Sequence, residues 1–217
     1  MRLPLLLATL LSLLLLVVLQ SALEAENPTL IVSVPEQKLY VFDTNGHKVA
    51  SYRVSTSKYG IGDTHSSYAT PSGQLEVTAK IGHGAEPGAV FHHCRRTGEI
   101  CPPNAPGRDP IVTRILCLRG LESQNAHAYS RGIFIHGTPD ERHIGRPASY
   151  GCIRMKSRDV VELFEQVRTG TRVEITTERV GGLFGGVTRP VTGRGYGRRR
   201  AGSLSHIPTA VARGSAH

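Results

Sequence analysis

Two side chains able to exchange a proton and attack a carbonyl stand sixteen residues apart: His136, closing the apolar run GIFIH, and Cys152, in Gly151-Cys152-Ile153-Arg154. Acyl transfer through a thiol needs a base within hydrogen-bond reach of the sulfur. It also needs a way to generate the thiolate, and backbone N–H groups aimed at the developing oxyanion. Gly151 permits a sharp turn that brings backbone amides close to a substrate carbonyl. From residue types and spacing alone a structural reading stands beside this one. A buried Cys packs as a small hydrophobe, and a His at a strand end can be an ordinary core residue.

The elements that must position the pair are mainly strands. Residues 29–34 (TLIVSV), 37–42 (QKLYVF) and 48–55 are β-branched or alternating, with Asn45-Gly46 a hairpin-turn dipeptide between the last two. Residues 74–80, 111–119, 132–136 and 172–175 read as further strands, and 57–72 as loop. The spacing of Val160, Val161, Leu163, Phe164 and Val167 predicts one principal helix over 157–168, with Ser157 as its cap and Gly170 as its stop. Residues 82–109, rich in Gly and Pro, read as a long irregular insertion. The expectation is a mostly β domain carrying one principal helix.

Around His136 and Cys152 the chain resembles the L,D-transpeptidase catalytic domain, the YkuD family. Its signature is a strand-end His-Gly, a spacer, then Ser-His-Gly-Cys-Ile-Arg. Here these stand as His136-Gly137 and Ser149-Tyr150-Gly151-Cys152-Ile153-Arg154. The resemblance runs from about residue 28 to 177 and takes in Glu36-Gln37-Lys38-Leu39-Tyr40, Val54-Ser55-Thr56, Thr70-Pro71-Ser72-Gly73 and Gly170-Thr171-Arg172-Val173. It implies an L,D-transpeptidase-like β-sandwich or barrel with its helix after the nucleophile loop, and a cysteine enzyme acting on peptidoglycan stem peptides with no metal or cofactor.

In that reading Cys152 is the nucleophile and His136 takes its proton. The thiolate attacks the carbonyl of the L-centre residue of a tetrapeptide stem, and the terminal D-Ala leaves. An acceptor amine then resolves the thioester into a 3→3 cross-link. Water as acceptor would make the protein an L,D-carboxypeptidase, and a weakly active peptidoglycan-binding protein is a further alternative. The resemblance assigns the orienting carbonyl to Gly137 and the oxyanion hole to the N–H of Cys152 with that of Gly151 or Tyr150. Ser149 and Arg154 are assigned to substrate, the guanidinium fork of Arg154 meeting a carboxylate. One departure stands out: Tyr150 occupies the position of the family's His. Tyr keeps a ring and a donor but does not titrate near neutrality.

Composition bounds the rest. The chain has 217 residues, is 39% hydrophobic and 20% charged, and carries a formal charge of +9. That is too apolar for wholesale disorder. From Thr176 onward seven Arg face one Glu, so the basic charge belongs mostly to a Gly/Arg-rich tail at 178–217, and a nucleic-acid-binding fold is not indicated. Residues 1–25 read as a signal peptide or a membrane anchor, with residues 3–19 as the apolar run. Either reading places residues 28–177 outside the cytoplasm, in the periplasm or cell envelope, as a monomer. His83, His92, His93, Cys94 and Cys101 in the insertion raise a zinc site. In an oxidising compartment a Cys94–Cys101 disulfide is the simpler expectation, with Cys117 as rival partner.

Overall fold

The computed structural model describes residues 27–180. The leader expected at 1–25, and the tail expected from 178 apart from its first three residues, lie outside them. β1 (Thr29–Ser33) and β2 (Lys38–Phe42) pair antiparallel, and β3 (Lys48–Arg53) follows β2 through the Asn45-Gly46 turn. Asp43 shapes that turn by accepting the N–H groups of Asn45 and His47 at 2.9 and 2.8 Å.

β4 (Gly73–Ile81), the hairpin β5 (Ala89–His92) and β6 (Arg95–Ile100), and β7 (Ile111–Gly120) come next. After them come β8 (Phe134–Gly137), β9 (Ile153–Met155), helix α1 (Ser157–Gln166) and β10 (Arg172–Thr176). The sheet order is β3-β2-β1-β10-β4-β7-β5-β6, with β8 on β7 and β9 on β8. Mainly strand, with one α-helix among the described residues, the architecture agrees with the expected class.

Side-chain alternation decides where the core lies. Leu30 and Val32 of β1 enter the main cluster, while Ile31 between them packs on the other face with Tyr40, Phe42 and Val180. The main cluster also takes Leu75, Leu116, Ile135, Ile153 and Met155 from the strands, and Val160, Leu163 and Phe164 from α1. Each such side chain, fully buried, contributes about 1.5–3 kcal/mol.

The helix differs from expectation at both ends. Lys156, not Ser157, is the N-cap residue, and no side chain caps it. The Ser157 N–H donates to Glu141 Oε1 at 2.9 Å and its hydroxyl shares a hydrogen bond of 2.8 Å with Thr113 Oγ1, so the residue serves tertiary contacts instead. α1 stops at Gln166, where Lys80 Nζ reaches the carbonyls of Phe164 and Val167. The ammonium satisfies acceptors that the helix end leaves open.

The insertion is not wholly irregular, because it contains the β5–β6 hairpin. His93 and Cys94 make its turn with φ of 46° and 60°, positions that favour Asn-Gly in two-residue hairpins. β6 is exposed along its whole length, so no apolar alternation announces it. The expected Cys94–Cys101 disulfide is corrected: all four cysteines are thiols. Cys101 packs with Val90 and Val112, whereas Cys94 packs in a separate cluster that contains Cys117. Among the described residues, no three His, Cys, Asp or Glu side chains converge as a metal-ligand set, and no helix is long and apolar enough to cross a membrane.

Candidate active site

β8 and β9 run parallel, with Ile135 opposite Ile153 and His136 opposite Arg154. Ile135, Ile153 and Met155 point into the core. Alternation therefore turns His136, Arg154 and, one residue before β9, Cys152 toward the opposite face. On β7 the register shifts between Val112 and Ile115, facing His136 and Gly137. Thr113 sits in that bulge at φ 73°, costly for a β-branched residue and fixed here by burial. Gly137 is pressed so close to β7 that a Cβ there would lie 2.6 Å from the Val112 carbonyl oxygen.

His136 Nδ1 lies 2.8 Å from the Gly137 carbonyl. A carbonyl only accepts, so Nδ1 carries the hydrogen and the lone pair is left on Nε2. Burial pulls the imidazole below its usual range, against the Gly137 bond and the charge of Asp109. The ring is thus neutral at neutral pH. The Cys152 thiol donates to the Gly132 carbonyl at 3.4 Å. Although the residue as a whole is half-buried, its sulfur is desolvated. That pushes the thiol up to about 11, opposed by the Phe134 N–H and the charges of Arg131 and Arg154. At rest the two groups are a neutral thiol and a neutral imidazole, not an ion pair.

The loop before Cys152 is built by buried hydroxyls. Ser149, 2% exposed, donates to the Cys152 carbonyl at 2.6 Å and accepts the Gly151 N–H at 3.2 Å. Thr70, from the Thr-Pro-Ser-Gly turn, donates to the Gly151 carbonyl at 2.9 Å. Gly151 adopts φ 121°, which a side chain would disfavour. Ser149 was expected at the substrate; the structure makes it a loop-builder.

Arg154, expected at a substrate carboxylate, is held within the protein. It is 5% exposed, pairs with Asp109, lies 3.6 Å from Asp140, and reaches Ser55 Oγ at 3.3 Å. Its charge is already engaged, so it ties β9 to neighbouring segments instead of waiting for a carboxylate. Asp109, which also accepts from the Thr138 hydroxyl, and Asp140 escaped sequence reasoning. They sit in a Pro- and Gly-rich insertion and a short turn, where one acid carries no periodic signal.

Tyr150 faces outward, 60% exposed. Lys58 Nζ donates to its hydroxyl at 2.9 Å and lies 4.3 Å over its ring. The rings of Tyr59 and Tyr68 each lie 5.7 Å from it. Tyr150 and Tyr68 wall a groove of about 440 Å³ whose lining includes Ser130, Arg131 and Ile133. Arg131 holds the loop bearing Tyr68, through an ion pair with Asp63 at 2.6 Å and bonds to the Ser67 and Ala69 carbonyls. Lys58, Tyr59 and Tyr68 lie in a segment that composition marks only as loop.

Residues 27–175 match the family model for the L,D-transpeptidase catalytic domain, YkuD. The Bacillus subtilis protein YqjB, named as an L,D-transpeptidase, is 50% identical over 109 residues, covering 50% of this chain and 53% of its own length. Escherichia coli K12 YcfS, named likewise, is 28% identical over 160 residues, covering 70% of this chain and 45% of its own length. The chain thus spans about half the length of these relatives. An L,D-transpeptidase structure from Mycobacterium smegmatis superposes with a TM-score of 0.44 at 18% identity, over 69% of this chain and 58% of that one. With the family model matching most of the chain, this protein belongs to the L,D-transpeptidase catalytic-domain family.

Proposed function

We propose that the protein is an exported L,D-transpeptidase that carries peptidoglycan stem peptides as a thioester on Cys152. The observation that carries this reading is the β8–β9 register, which sets His136 opposite Arg154, two residues from Cys152, together with the Gly137 bond that fixes Nδ1 and leaves Nε2 as base. Substrate binding displaces the thiol from the Gly132 carbonyl, and Nε2 accepts its proton as sulfur attacks the carbonyl of the third stem residue. The Gly151 N–H is engaged by Ser149. The oxyanion therefore falls to the N–H groups of Cys152 and Tyr150. The imidazolium returns its proton to the departing D-Ala amine. An acceptor amine, losing a proton to His136, then attacks the thioester, closing a 3→3 link and restoring the thiol.

Tyr150 stands at the mouth of this site. Its oxygen accepts from Lys58, which leaves its own O–H to donate to a substrate carbonyl or carboxylate.

The test is incubation of purified protein with disaccharide-tetrapeptide and analysis of products by mass spectrometry. Cross-linked dimers that disappear in Cys152→Ala are expected. Tripeptide with free D-Ala and no dimer would make water the acceptor and the protein a carboxypeptidase. Turnover retained by folded Cys152→Ala would overturn the reading. The same thiolate chemistry leads us to expect one carbapenem adduct here, on Cys152.

A further inference from the structure

We propose that Cys94 and Cys117 form a disulfide when the folded protein meets a disulfide oxidant, stapling the β5–β6 hairpin to β7 while Cys152 stays a thiol. Cys94 is the second turn residue of that hairpin. It packs against a cluster of Ala85, Ala89, Phe91, Ile115 and Cys117. Burial first, and then the neighbouring Cys94 thiol, push the Cys117 thiol up to about 11. Cys101, the nearer cysteine in sequence, is held in another cluster by Val90 and Val112. The proximity is therefore tertiary, between a hairpin tip and the middle of a buried strand.

Access sets the order of events. Cys94 is half-buried and meets an external oxidant, whereas Cys117 is 5% exposed and shielded by the hairpin. The Cys94 thiolate attacks one sulfur of oxidised glutathione, giving a mixed disulfide and one glutathione thiolate. Cys117 then loses its proton and attacks the Cys94 sulfur, releasing the second glutathione. The protein loses two electrons and two protons, and the oxidant yields two thiols. Burial holds the Cys117 thiol near 11, so it is a poor first attacker and acts once the mixed disulfide is beside it. The Cys152 thiol is likewise pushed up to about 11 by burial, and it is bonded to the Gly132 carbonyl, which keeps it out of the exchange.

The bond closes a loop of 24 residues, from 94 to 117. A cross-link of this span restricts the unfolded chain and raises the melting temperature by about 5–10 °C for a domain of this size. The inference does not rest on the acyltransferase reading, since its test needs no turnover.

The full chain is incubated with oxidised glutathione, quenched in acid, denatured, alkylated and digested. Mass spectrometry should find a Cys94–Cys117 peptide, with Cys101 and Cys152 alkylated. The oxidised form should melt about 5–10 °C above the reduced form, and Cys94→Ser, altering only a half-buried turn residue, should melt alike under both conditions. A Cys94–Cys101 link, glutathione left on Cys94 beside an alkylated Cys117, or equal melting of the two wild-type forms would overturn the proposal.

Discussion

The floor and the rim of the site are built by opposite means. On the floor His136, Ser149 and Arg154 are buried and tied to Gly137, Cys152 and Asp109. On the rim Tyr59, Tyr68 and Tyr150 are more than half exposed, and Lys58 touches Tyr150 in the open. A buried polar group that loses its partner costs its full desolvation, about 1–3 kcal/mol. Exposed contacts are screened and contribute little. The geometry of the floor is thus fixed, while the exposed rim can vary. This explains how Tyr150 stands where the family has His without disturbing the His136–Gly137 bond.

The largest expected effects lie in the proton affinities of the two buried groups, Cys152 and His136. With its thiol pushed up to about 11, resting Cys152 is about one part in 10⁴ thiolate at pH 7. Iodoacetamide should modify it along a pH curve that keeps rising beyond pH 9. A curve already flat at pH 7 would mean a thiolate–imidazolium pair at rest. On the acid side, His136 must be neutral to act, and burial lowers its pKa. Turnover should survive as pH falls through the ordinary histidine range near 6.5 and be lost only below it. Loss centred above pH 7 would contradict a buried neutral base.

Next in size is the base itself. His136→Ala should slow tetrapeptide consumption by about 10²–10⁴-fold, the usual range for a general base. A loss below tenfold would assign activation of the thiol elsewhere. Asp109→Asn removes the charge that Arg154 leans on, and Asp109 is about one-third exposed. Urea unfolding should therefore show a loss of about 1–3 kcal/mol, short of the full effect of breaking a buried pair. Lys58→Met on the rim should change stability by less than about 0.5 kcal/mol. Equal losses at the two positions would erase the distinction between floor and rim.

The smallest effect is at Tyr150. Tyr150→Phe should slow turnover several-fold, the size of one hydrogen bond of about 0.5–1.5 kcal/mol. Tyr150→His should be tolerated. A gain of a hundredfold or more in Tyr150→His would mark the natural protein as attenuated and favour a binding role.

What the sequence made legible follows from locality. Strands such as Thr29–Ser33 and Arg172–Thr176, and the apolar face of α1, are written in periodicity over a few residues. The motif that points to His136, Gly151 and Cys152 is visible in the sequence because it consists of two short continuous stretches, His136-Gly137 and Ser149 to Arg154. The β5–β6 hairpin was not, since its turn uses His93-Cys94 and β6 has no buried face. The internal contacts of Ser149 and Arg154 were hidden for a different reason. Arg154 meets Asp109, Asp140 and Ser55 from distant segments, while Ser149 turns its hydroxyl onto Gly151 and Cys152 beside it, and residue type alone does not say that either side chain is satisfied from within.

The most direct measurement is rapid acid quench of the enzyme turning over tetrapeptide, followed by intact mass and peptide mapping. The expected result is a transient species heavier by the acylating portion of the stem, mapped to Cys152 and missing from Cys152→Ala. Product formation with no such species, or an acyl group mapped to Cys94, Cys101 or Cys117, would contradict covalent catalysis by Cys152.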